Sequence, residues 1–123
     1  MNIVPVGFRG NPVKHFVYQA ATSGSSSYAA PASGYAYIPI GGWVSASAVG
    51  SFTYYNGTAG SSLFRILAPA RGVSWFDFWE SPGVVLPAKC PVLESSTDGV
   101  SLNDFHVFAI VVRSGAGQGG TEQ

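Results

Sequence analysis

The sequence predicts an all-β domain, an antiparallel β-sandwich of jelly-roll type with about eight strands. Three observations predict it. Short runs rich in aromatic and β-branched residues recur at intervals of roughly ten residues, with Gly and Pro between them. No window longer than a turn carries the i, i+3, i+4, i+7 apolar spacing of an amphipathic helix. The stretch Gly50–Trp79 holds three apolar runs, Phe52–Tyr55, Leu63–Ala68 and Ser74–Trp79, which read as a three-strand antiparallel meander. Asn56-Gly57 tolerates positive φ and favours a tight reversal after the first run. Pro69 ends any ladder it could have donated to, and Arg71 and Gly72 complete the second gap.

The remaining elements follow in chain order. Residues 1–12 carry Pro5, Gly7, Gly10 and Pro12, a spacing that denies regular structure and reads as an extended arm. Its Ile3, Val4, Val6 and Phe8 are too apolar for a solvated tail. The arm therefore either docks on a partner or adds an edge strand to its own sheet. Val13–Ala21 is the first strand, with Val13, His15, Val17 and Gln19 on one face and Lys14, Phe16, Tyr18 and Ala20 on the other. Thr22–Ser27 reads as a Gly/Ser loop, continued by an irregular connection to Ser33. Tyr35–Ile40 is a strand whose Pro39 confines it to an edge or a bulge. Gly41-Gly42 bends the chain, and Trp43–Val49 resumes the extended course. Beyond the meander come Ser81-Pro82-Gly83 as a turn, Val84–Leu86 as a short extended piece and Lys89–Ser95 as a strand. Phe105–Val112 is apolar on both faces, as for a central strand covered on each side. The domain thus spans residues 13–113, and Gly-rich residues 114–123 read as a flexible tail.

Composition narrows the function classes. Six basic and six acidic residues cancel, and only 10% of the chain is charged, against about 25% in ordinary soluble proteins. Such a chain lacks the basic footprint that holds a phosphate backbone, so nucleic acid is not the expected partner. With 46% hydrophobic and 14% aromatic residues, few charges keep copies apart. The expectation is a homo-oligomer, a trimer, packed against itself or a larger body. The start of the chain has no basic residues leading into an apolar core, so it does not read as a signal peptide, and every apolar run is too short to span a bilayer. No membrane partner is expected. Cys90, the single cysteine, reads as a small core residue beside Pro91.

Residues with chemistry are sparse. Asp77 and Glu80 fall on opposite faces of a strand and form no glycosidase pair. No Gly-x-Ser-x-Gly elbow is present. His106, set in an apolar strand, reads as structural. It and His15 lack the ligand spacing of a metal motif. The reading is a non-enzyme with no catalytic residues, no metal and no cofactor. Trp75-Phe-Asp-Phe-Trp79 is the sharpest feature. Alternation puts Phe76 and Phe78 on a core face and Trp75, Asp77 and Trp79 on the other. Two indoles flanking a carboxylate suit a subunit contact or, if exposed, a sugar-stacking platform.

The order of elements resembles the small single-jelly-roll proteins that decorate or cement the heads of tailed phages. The resemblance spans residues 35–112 and runs from Ile38-Pro39-Ile40-Gly41-Gly42 through the Tyr54-Tyr55-Asn56-Gly57 hairpin to Leu63–Leu67. It continues through Phe76-Asp77-Phe78, Pro82–Leu86 and Cys90–Ser95 to the closing apolar strand. It implies a virion accessory protein on the capsid surface, binding the major capsid protein between capsomers and stabilising the head. Partner-binding candidates are Ile3, Val4, Val6, Phe8, Trp43, Trp75 and Trp79. The alternative is a carbohydrate-binding module or the receptor-binding head of a phage fibre, with Trp75 and Trp79 as stacking groups.

Overall fold

The computed structural model of the chain describes residues 7–8, 10–21, 23–57, 61–68, 72–78, 90–97 and 103–113. Among these residues the backbone forms nine strands and no helix. They are β1 (Gly7–Phe8), β2 (Asn11–Ala20), β3 (Gly24–Ser27), β4 (Tyr35–Ala46), β5 (Gly50–Asn56), β6 (Ser61–Ala68), β7 (Gly72–Asp77), β8 (Pro91–Thr97) and β9 (Asn103–Arg113). Every pairing is antiparallel. One sheet has the order β1-β2-β9-β4-β7 and the other β3-β8-β5-β6. Apart from the β5–β6 hairpin and the short β1, consecutive strands alternate between the sheets. That alternation, with first and last long strands side by side, is a single jelly roll.

The core follows from alternation along each strand. Phe16, Tyr18, Val44, Ala46, Phe105, Val107 and Ala109 face inward from the five-stranded sheet, and Phe52, Tyr54 and Leu93 meet them from the other. Phe105 has its ring centroid 5.4 Å from Phe52, with Phe64 and Phe76 each 6.5 Å away. A second buried cluster, Ile38, Ile40, Phe108 and Ile110, lies on the opposite face of the same sheet. The central position of β9 and its two apolar faces are thus as Phe105–Val112 foretold.

Four sequence expectations change. The third run of the Gly50–Trp79 stretch leaves the meander. β7 pairs with β4 in the other sheet, with Trp75 opposite Trp43, because Phe76 faces Phe64 across the sandwich at 5.2 Å. The Gly/Ser stretch contains a strand, β3, whose Gly24–Ser27 backbone pairs with β8. Its residues are Gly and Ser, placed by the backbone ladder to β8 and by the Tyr18 ring against Gly24, so no apolar alternation announces it. Tyr35–Ile40 and Trp43–Ala46 are one strand, with a register shift between Pro39 and Gly41. Pro39 therefore sits at a bulge in an interior strand, one of its two allowed places. Cys90 is exposed. Its backbone N–H donates to Asn56 Oδ1 at 3.3 Å and its carbonyl accepts from Gly57 N at 2.7 Å, which holds it on the bend before β8, outside the core that Pro91 and Leu93 enter.

Gly57 has φ +95°, the turn geometry expected of Asn56-Gly57. Val84–Leu86, most of the N-terminal arm and residues 114–123 lie outside the described residues. Gly7 and Phe8 of the arm pair back onto Pro12 and Asn11.

One core group is energetically misplaced. Tyr54 is fully buried, and its hydroxyl has no hydrogen-bond partner among the described residues. Burial, with Tyr37 nearby, pushes its phenol far above the usual range. An orphaned buried hydroxyl costs about 1–3 kcal/mol, so Tyr54→Phe is expected to raise the denaturation midpoint by roughly 1 kcal/mol of stability. A midpoint lowered by that amount would mean that the hydroxyl is satisfied in solution.

The outer face of the five-stranded sheet as candidate functional site

Strand alternation that sends Phe16, Val44, Phe76 and Phe105 inward sends His15, Trp43, Trp75 and His106 outward. The registers then align them across the sheet. His106 on β9 stands opposite Val17 on β2 and Trp43 on β4, and Trp43 stands opposite Trp75 on β7. The result is a continuous layer. The His106 ring stacks on Trp43 with centroids 3.8 Å apart and planes 15° apart. Trp43 and Trp75 lie 6.0 Å apart at 46°. On the other side His15 stacks on His106 at 5.0 Å and covers Phe108 at 4.6 Å.

Exposure grades across this layer. His106 and Trp43 are half-buried, whereas Trp75 on the described margin of the sheet is 64% exposed. Val73, two residues earlier on the same face, is 54% exposed, and Asp77 is exposed beyond it. Trp75 and Val73 thus leave adjoining apolar side chains open on this face. Polar groups border it. His15 Nε2 and His106 Nδ1 share a hydrogen bond of 2.9 Å. The Gln19 amide donates to Asp104 Oδ1 at 2.6 Å, and the same oxygen lies 3.7 Å from His106 Nε2. Burial holds both imidazoles below the ordinary histidine range. For His106 the neighbouring His15 adds to this and Asp104 opposes it.

Of the sequence-derived candidates, Trp43 and Trp75 are brought together on this face. Trp79, Ile3, Val4 and Val6 lie outside the described residues, as does the side chain of Phe8. The pairing of Trp75 with Asp77 on one face agrees with alternation in the sequence. No spacing in the sequence joins His15 to His106; the β2–β9 pairing of residues 91 apart brings them together. Their outward phase on each strand was the available signal. Among the described residues no three His, Cys, Asp or Glu side chains converge in a way that could hold a metal ion.

The architecture defines the chain as a single jelly-roll domain. No protein-family model matches its sequence, and no curated protein matches it either. Among solved structures it is similar to a protein of Bacillus endospore appendages, described as a novel family of disulfide-linked pili. That likeness has 8% identity and a TM-score of 0.46, over 90% of this chain and 96% of the other. It is also similar to a protein of infectious bursal disease virus, Gx strain, at 13% identity and TM-score 0.35, and to one from the T13 particle of that virus at 14% and 0.36. Each viral match covers 97% of this chain, which spans only 39% and 37% of those viral chains. These neighbours come from a pilus and from viral particles. Identity this low leaves function to the chemistry of the outer face.

Proposed function

We propose that the chain is a virion structural protein, a decoration or cement subunit that binds the outer surface of a phage head between capsomers and stabilises it. It docks through the outer face of the five-stranded sheet, and its own copies associate as a trimer. The observation that carries this reading is the exposed indole of Trp75, 64% open, at the end of a stacked aromatic layer. The support beneath it is rigid, since Trp43 is pinned between Trp75 and His106. A pre-organised aromatic anchor of this kind loses little side-chain freedom on binding. The low charge of the whole chain, 10%, favours the same use, because interface cores are depleted of charge.

The test is co-sedimentation of the purified chain with heads stripped of their accessory proteins, comparing wild type with Trp75→Ser. Loss of an interface anchor typically costs about 2 kcal/mol or more, roughly a thirtyfold loss of affinity. The variant should keep its melting temperature, because Trp75 is outside the core. Equal binding by wild type and variant would remove the face from the docking surface.

The exposed pair of Trp75 and Asp77 on one face also favours a second reading, a sugar-stacking platform in a carbohydrate-binding module or fibre head. A glycan array separates the two. Saturable glycan binding lost in Trp75→Ser, without head binding, selects the second.

A further inference from the structure

His15 and His106 meet across the β2–β9 seam, with His15 over Phe108 and His106 against Trp43. A pair of imidazoles joined by one hydrogen bond has room for a proton in the bond and one on each outer nitrogen. The neutral pair therefore accepts one further proton and keeps its bond, which then becomes charge-assisted. The next proton has nowhere to go but the bond itself. Two N–H groups would then face each other across 2.9 Å with a positive charge on each ring.

We infer that the His15–His106 pair is a proton-operated clasp on the outer face, in which the second proton frees His15 and uncovers the Phe108 ring beneath it. The surroundings decide which ring leaves. Asp104 lies 3.7 Å from His106 Nε2, and the indole face of Trp43 also favours a cation stacked on it. His106 therefore stays. His15 is exposed and has no carboxylate against it among the described residues, so it swings into solvent. The other charged groups around the pair, among the described residues, are few. β2 adds Lys14, which lines a cleft with His15 together with Tyr28 and with Tyr37 of β4; β7 adds Asp77 at its far end, and β4 places Trp43 and Ser45 beside the pair. Asp104 on β9 is shared with Gln19.

Geometry and proton linkage agree in sign. Both rings take up protons less readily folded than unfolded, because burial opposes their charge. Their contribution to stability is complete above the ordinary histidine value of 6.5. It is lost as pH falls below that value through the lowered folded values. The pair also titrates as a unit, so its two steps are spread apart.

The experiment is an imidazole ¹⁵N NMR titration of the isolated chain from about pH 8 to about pH 5, with an apolar fluorescent dye as second readout and circular dichroism to confirm that the sheets persist. Two separated steps are expected, with dye fluorescence rising several-fold at the lower one. In His15→Gln and in His106→Gln, dye binding should no longer depend on pH in this range. Independent titration of both rings at a common value, or an acid rise in dye binding unchanged in both variants, would overturn the clasp. Neither outcome bears on docking, since no partner is present in the measurement.

Discussion

Phe105→Ala should lower the stability of the domain by about 3–5 kcal/mol, the range for emptying an aromatic site in a packed core. Phe105 is fully buried on the central strand β9, and its ring is walled by Phe52, Phe64 and Phe76. These neighbours come from β5, β6 and β7, so both sheets lose contacts at once. Rings held by three different strands cannot collapse together into the space. A loss of this size is a large share of the ~5–15 kcal/mol that holds a domain folded. Chemical denaturation measures it directly. A loss under about 1 kcal/mol would mean that this ring does not join the sheets as described.

Gly42→Ala should be at least as severe. Gly42 faces inward from β4, opposite Val107 on β9 and Phe76 on β7. A Cβ built there would collide with the carbonyl oxygen of His106 and lie 2.9 Å from Phe76 Cζ. The ring has some freedom to turn; the carbonyl belongs to a central ladder and does not. Overpacking typically costs about 1–3 kcal/mol where side chains can adjust, and here backbone must move instead. The expected result is a chain that fails to fold or unfolds at very low denaturant. A variant with the wild-type midpoint would contradict the β4–β9 approach.

The same glycine shows what the sequence could and could not convey. Gly41-Gly42 reads as a bend, yet the physical need is for a bare inward position beside a bulge, and that depends on a strand some sixty residues away in the chain. Elements defined by their own side chains were legible. Phe105–Val112 declares a doubly covered strand, Asn56-Gly57 a reversal, and Trp75–Phe78 a strand with an aromatic face on each side. Elements defined by their partners were not. β3 has no apolar residue and exists through backbone bonds to β8. β7 looks like the third strand of a meander because neighbours in sequence usually pair, while its true partner is β4. Cys90 lies next to a buried run and is held outward by hydrogen bonds from its N–H to the Asn56 side chain and from the Gly57 N–H to its carbonyl.

The candidate site divides in the same way. Trp43 and Trp75 are each marked by residue type, and their ring contact comes from register. The histidine pair carried no local signature, since its chemistry arises only where β2 and β9 align. Outward phase made both rings eligible, and the pairing made them a unit.

Hydroxyl-radical footprinting of the chain, free and bound to the particle, tests the docking face most directly. Trp75 and Leu67 are both open in the free chain, at 64% and 71% exposure, on the outer faces of opposite sheets. Docking through the five-stranded sheet predicts that Trp75 becomes several-fold less reactive on binding while Leu67 keeps its reactivity. Protection of Leu67 with Trp75 left as reactive as in the free chain would contradict it.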